Sequence, residues 1–460
     1  MASTNLSRAN GSGSATTKFT YSVWLKYSGF VSGGQRFFSA TGGSGDTYFR
    51  FNADGTMEIS GDNSAATSLG YFITNRKFRD HSAWMHIVIK SDTTQLTQTD
   101  RFKLYINGVD EAGVGGYSTG TYPNQNADDN ISLSSNTHYI GGAASSQYFN
   151  GLMTHIHYSD GYAYDASTFG ETDSTSGIWK PKASPTGITY GTNGYFLKME
   201  NSGAMGTDSS GNSNTFTVSG NLTQNEDTPS NNFATLNPLP SVKIGTDCFY
   251  EYGGTNCRSS TTNFRAGVSG IYVNQGKWYF EMQQSNADCH IGIAGENKIQ
   301  NGGTSGGVND RLFYYEDTTG YAYSYNAGNG MIYFSTPSDG TQTASYGNAF
   351  GSSDTVGCFA DLDNNKLYFS KNGTIQNSGT GYTIQGDIYY ALGSSIYNGD
   401  TSLNYGNGSF KGVKLTGTTY TDANGEGIFK YSPNQAGASN FDSSAKNFYA
   451  LNTNNLKEFG

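Results

Sequence analysis

Apolar and polar residues alternate with a period of two through most of this chain. In RFKLYING, Phe102, Leu104 and Ile106 fall on one side of an extended backbone, and Lys103 and Tyr105 on the other. That is the pattern of a strand with one buried face. Residues 18–30, KFTYSVWLKYSGF, alternate aromatic and polar positions in the same way. Further strands are predicted at QRFFSA, TYFRFNA, GTMEISG, WMHIVIK, HYIGG and GLMTHIHYSDGY. In the second half they are predicted at GKWYFEMQQ, CHIGIAG, RLFYYED, YAYSYNA, GMIYFST, VGCFADLD, KLYFSKNG, DIYYALGSS and SLNYGN. Gly, Asn and Asp separate these runs at hairpin spacing, which points to sandwiches or barrels. DASTFGE (165–171) predicts one helical turn capped by Asp165, and no long amphipathic helix is visible.

Two runs have the same plan of strand, turn and strand ending in Asn-Gly. They are AWMHIVIKSDTTQLTQTDRFKLYINGV (83–109) and DTVGCFADLDNNKLYFSKNG (354–373). Each belongs to its own half, so the expectation is two β-sandwich (jelly-roll) domains in series, 1–229 and 230–460. The polar, proline-bearing run EDTPSNNFATLNPLPS (226–241) is the best boundary. The frame Asn-Phe-x-x-Leu-Asn occurs at Asn232–Asn237 and again at Asn447–Asn452. It reads as a segment that closes each module or leads to the next.

Composition agrees with an all-β chain. There are 62 Gly, 34 Tyr and 27 Phe, and only 14% charged residues. Gly fills turns, Tyr and Phe fill strands, and this aromatic content argues against disorder. The net charge of −10 is spread over both halves with no basic block. Nucleic-acid binding and attraction to an anionic membrane are therefore disfavoured. Residues 1–17 show no apolar leader and no window is long enough to insert in a membrane, so synthesis in a cytoplasm is expected, with any exit by another route. Cys248, Cys257, Cys289 and Cys358 fit no zinc template. Cys289 and Cys358 read as core residues, and a Cys248–Cys257 disulfide is left open.

The first half resembles LamG-like, concanavalin-type jelly rolls. The residues that carry this are WMHIVIK and KLYINGV, then YIGG (139–142) and YFNGLMTHIHYSDGYAYDASTFGE (148–171). The run from FGETDSTSGIWKPK to NNFATLNPL (169–239) resembles a segment common in structural proteins of marine tailed phages, cyanophages among them. It departs at Lys198-Met199-Glu200, where that family more often has Asp-Phe and a polar residue. The second half is similar to a SPRY domain at GKWYFEM (276–282), HIGIAG (290–295), 354–373 and DIYYALGSSIYNGDTSLNYG (387–406). Together these resemblances imply a virion protein displaying binding-type sandwiches, on the capsid or tail as fibre, knob or decoration. Its implied partners are other virion proteins, further copies of itself and a host-surface glycan or protein. The alternatives are a glycan-binding adhesin outside a virion and a polysaccharide depolymerase.

Catalysis is not expected. Concanavalin-type glucanases carry Glu-x-Asp-x-x-Glu, which is missing here. Asp361 and Asp363 have the i, i+2 spacing for a carboxylate pair, but they match the SPRY turn. His155 and His157 are predicted to share a strand face, with His86 as a third metal ligand if its strand is adjacent. Asp128 and Asp129, in a Gly/Asn-rich loop, are the calcium candidates; no other cofactor is expected. The binding candidates are aromatic residues beside turns: Tyr117, Tyr122, Tyr148 with Phe149, Tyr314, Tyr315 and Tyr397. Such rings stack on sugars while Asn and Asp bond hydroxyls.

Overall fold

A computed structural model describes the chain outside residues 1–2, 13–15, 30–32, 43–44, 62–68, 184, 239–247, 287, 302–312, 314–319, 340–341 and 435–446. The chain divides into two compact units, Met1–Gln224 and Asn225–Gly460. Among the described residues, no helix is long and apolar enough to cross a membrane.

The first unit packs an eight-stranded antiparallel sheet on a six-stranded one, counted among the described residues. Period-two alternation explains the packing. Leu6, Ile140, Phe38, Phe49, Ile59 and Phe72 are successive cross-strand partners on the larger sheet, and all face the core. One residue along, the row Ser7, Tyr139, Ser39, Tyr48, Ser60, Tyr71 lies on the opposite face, where the tyrosines are half-buried and Ser39 and Ser60 are covered. A one-residue slip would exchange the two rows, so burial fixes the register. On the facing sheet, Tyr195, Tyr158, Tyr21, Ile89 and Leu104 form the matching buried row.

The outer side of the six-stranded sheet is covered by residues 162–183 and 185–190. Tyr164 N–H donates to Thr20 Oγ1 at 2.7 Å, and Phe169, Tyr164, Trp179 and Ile188 pack on Val88 and Tyr105. The predicted helical turn is a 3-10 turn, Ala166–Thr168, but the Asp165 side chain does not cap it. Its carboxylate takes Lys90 Nζ at 2.7 Å and the Tyr105 hydroxyl at 2.9 Å instead. Both are charge-assisted hydrogen bonds to the carboxylate.

The second unit is built on a strand path that encloses Trp278, Phe280, Met282, Ile291, Ile293, Leu392 and Leu403. Both Asn-Gly turns adopt left-handed conformations at both residues. Asn107 and Gly108 lie at φ 50 and 81°, Asn372 and Gly373 at 50 and 79°. Those values suit two-residue hairpin turns, whose twist matches the flanking strands.

The two copies of Asn-Phe-x-x-Leu-Asn both lie in this unit, and they meet. Ala234 N–H donates to Leu451 O at 2.8 Å and Thr453 N–H to Asn232 O at 3.0 Å. Phe233 and Phe448 share one apolar cluster with Tyr279, Phe359 and Phe429. Leu236 and Leu451 enter the main core. The repeat therefore clasps the two ends of a single unit.

Candidate binding groove

The second unit carries a groove of about 270 Å³ lined by Phe264, Asp288, Asn326, Gly328, Asn329, Tyr333 and Tyr397. A register break creates it. Along the Asn256–Val273 and Tyr390–Asn404 strands, Ser259 pairs with Gly399 and the next pair is Phe264 with Tyr397. Asn398 sits between them at φ 46°. Such a bulge re-aims the side chains beside it. The Phe264 and Tyr397 rings are 5.3 Å apart and tilted by 51°.

The floor is a fixed hydrogen-bond chain. Asn326 Oδ1 accepts from Asn329 N–H at 3.2 Å, which sets the amide's orientation. Its Nδ2 therefore donates to His290 Nε2 at 3.0 Å. The imidazole proton then sits on Nδ1 and is donated to Ser324 Oγ at 3.0 Å. Burial pushes His290 down to about 3, so it is neutral at ordinary pH. The imidazole meets Tyr333 edge to face at 5.1 Å and Phe264 at 6.0 Å. Asn329 Nδ2 donates to the Tyr333 hydroxyl at 3.0 Å. At the rim, the Asp288 carbonyl accepts from Tyr397 N–H at 2.9 Å, while the Asp288 side chain is exposed.

Of the aromatic candidates, Tyr397 lies in this groove. Tyr314 and Tyr315 lie outside the described residues. Tyr117 and Tyr122 are half-buried, each with its ring 5.0 Å from that of Phe72. Tyr148 is half-buried beside Gly142, and Phe149 packs on the core.

The acidic and histidine candidates are held in the interior or at turns. Asp128 is exposed, whereas Asp129 is buried. Asp129 Oδ1 accepts from Ile131 and Ser132 N–H at 2.9 and 3.2 Å, and its Oδ2 meets Thr16 Oγ1 at 2.6 Å. Burial, aided by nearby Asp160, pushes the Asp129 carboxyl up to about 7. Asp361 bonds Asn364 through both oxygens, and Asp363 accepts from Gly276 N–H at 2.7 Å.

His155 and His157 do share a face, both rings lying against Phe196 at 6.0 and 3.9 Å, although the backbone alternation is interrupted between them. His155 is at φ 49° and the pairing register shifts after Thr154. His157 stacks on Phe196 at 3.9 Å and bonds the Tyr190 hydroxyl at 2.9 Å. His86 stacks on Trp24 at 4.8 Å. Trp179 Nε1–H donates to His86 Nδ1 at 3.0 Å, so His86 carries its proton on Nε2, facing Ser22 Oγ at 2.8 Å. Among the described residues, no three His, Cys, Asp or Glu side chains form a group that could hold a metal ion.

Cys257 is a buried thiol in the core, opposite Tyr250, so the Cys248–Cys257 disulfide left open by the sequence is not formed. The Cys248 side chain lies outside the described residues.

Residues 2–166 match the family described as the Concanavalin A-like lectin/glucanases superfamily, and residues 277–406 match the SPRY domain. The chain carries a concanavalin A-like domain followed by a SPRY domain. Both expected domain types are therefore present. Asp288, Asn326, Asn329, Tyr333 and Tyr397 fall inside the SPRY match, and Phe264 precedes it. No curated protein sequence matches the chain.

Among solved structures, the SPRY domain of human HERC1 is 14% identical, covers 36% of this chain and 96% of its own, and gives a TM-score of 0.27. The TRIM65 PSpry domain is 11% identical, with 37% and 90% covered and a TM-score of 0.27. Stonustoxin is 14% identical, with 37% and 28% covered and a TM-score of 0.28. At these scores none of them carries an argument about this chain.

The sequence missed Phe264, Asp288, Asn326, Asn329 and Tyr333. Asn326 to Asn329 and Asn398-Gly399 were readable as turns. Their convergence depends on a register break that no local pattern encodes.

Proposed function

We propose that this chain is a non-enzymatic structural protein of a phage particle, carried on its capsid or tail surface. Its two β-sandwich domains would contact a glycan or protein of the host surface. The observation that carries the binding part is the groove: three aromatic rings and two amides on a hydrogen-bonded floor, with one exposed carboxylate. A non-catalytic role is supported by the use of Asp361 and Asp363 in turn hydrogen bonds. The particle setting is supported by the sequence resemblance of 169–239. Many copies on one particle would turn weak contacts into strong attachment.

Mass spectrometry of purified particles, with antibody labelling in the electron microscope, tests the setting. The chain is expected in stoichiometric amounts on the surface, and particles that lack it would overturn the particle reading. Incubation with host envelope polysaccharide is expected to release no sugar. Release abolished by one carboxylate substitution would establish a depolymerase instead.

A further inference from the structure

We infer that the Phe264–Tyr333–Tyr397 groove takes one uncharged pyranose ring of a host-surface glycan. This rests on the reading that the chain makes surface contacts, and it names the ligand class at one site. The volume of about 270 Å³ lies just below the roughly 300–1,000 Å³ of drug-sized pockets, so it suits a single ring rather than a peptide segment. The walls include three aromatic rings, Phe264, Tyr333 and Tyr397, and the negative quadrupole of an aromatic face attracts the C–H face of a sugar. The rest of the lining is polar: the exposed Asn329 amide and Asp288 carboxylate are planar groups able to bond adjacent hydroxyls, and the buried Asn326 amide braces the floor between them.

Charge narrows the class. Asp288 is the charged residue of the lining, in a chain of net charge −10. It disfavours uronic and sialic acids and leaves neutral hexoses and N-acetylated amino sugars. A quaternary ammonium ion would suit aromatic walls and a carboxylate, but it has no use for the Asn326 and Asn329 amides. The site is also set before ligand arrives. Asn326 is held from both sides, by Asn329 N–H and by His290. Little ordering cost remains on binding.

The test is saturation-transfer NMR and calorimetry on the full chain with methyl glycosides of neutral hexoses, N-acetylhexosamines and a uronic acid, and with choline. At least one neutral pyranoside is expected to bind at millimolar level, and the uronate roughly tenfold more weakly. Tyr397→Ala is expected to weaken the neutral sugar roughly tenfold while thermal unfolding stays unchanged. Asp288→Asn is expected to narrow the gap between neutral sugar and uronate. Leu96→Ala, at an exposed position of the other unit, is expected to leave sugar binding unchanged.

The inference is overturned if no neutral pyranoside gives a signal at about 50 mM, or if choline alone binds. It is also overturned if Tyr397→Ala and Tyr333→Ala both bind sugar like the parent. In that last case glycan contact stands and the groove assignment alone fails. Absence of the chain from particles would overturn the setting and leave the groove untouched.

Discussion

Replacing Asp129 by Asn should make the first unit more stable at alkaline pH. Thr16 Oγ1 lies 2.6 Å from Asp129 Oδ2 and 2.8 Å from Lys18 O. It has one proton for two acceptors. A protonated Asp129 resolves the conflict: it donates to Thr16, which donates to Lys18 O, while Oδ1 keeps Ile131 and Ser132 N–H. The amide of the Asp129→Asn variant would donate to Thr16 in the same way. The carboxyl is pushed from 3.8 to about 7, first by burial. Between those values the folded state holds a proton that the unfolded chain lacks. This group's contribution is therefore complete below about pH 4 and is lost as pH rises through about 7. At about 1.4 kcal/mol per pH unit, the full wild-type loss is on the order of 4 kcal/mol.

Guanidinium unfolding at about pH 5 and about pH 8 would measure it. The variant should exceed wild type by about 1.5 kcal/mol at the lower pH and by about 4 kcal/mol at the higher. A variant that is destabilised equally at both pH values would refute the reasoning.

The remaining predictions concern the clasp, the covering segment, the histidines and the thiols. Phe233→Ala empties a fully buried site in the second unit and should cost about 3–5 kcal/mol there, leaving the first unit's transition in place; calorimetry on the full chain would show a shift in one transition only. Trp179→Phe removes the donor to His86 Nδ1 and should cost about 1–3 kcal/mol, with faster hydrogen exchange in 162–182. His81 and His138 are pushed down to about 4, and His86 and His290 to about 3, all chiefly by burial. Unfolded histidine takes up a proton near 6.5, so stability from these groups is present above that pH and lost as pH falls towards 3; denaturation midpoints that hold steady from about pH 6.5 to about pH 4 would contradict this. Because Cys257 is a thiol, a reductant should leave the unfolding temperature unchanged.

Much of the fold was readable because burial and alternation coincide. Phe102, Leu104 and Ile106 announce their buried face directly. Where the backbone leaves the extended region, the reading fails. The left-handed residue His155 and the register shift after Thr154 are not signalled by the pattern, although His155 and His157 still come together against Phe196. The Asp128-Asp129 pair reads as a loop site, but the loop's own N–H groups draw Asp129 inward. Tyr397 was legible as an aromatic beside a turn. Its partners were not, since Phe264 reaches it only across a bulge. The repeated Asn-Phe-x-x-Leu-Asn was visible as a repeat, but nothing in either copy says that the other is its mate. That follows from strand order alone.

The clasp also determines how the second unit would respond to pulling. Asn232 bonds Thr453 and Ala234 bonds Leu451, so tension applied through residues 225 and 460 would reach the Asn232–Thr453 end of this ladder first. The bonds would then part in sequence, as in unzipping, rather than sharing the load as in shear. The segment 232–234 would part from its mate first; the 449–450 strand is also paired with Trp278 and Tyr279, so its release, and that of Leu236 and Leu451, would open the sheet and core themselves.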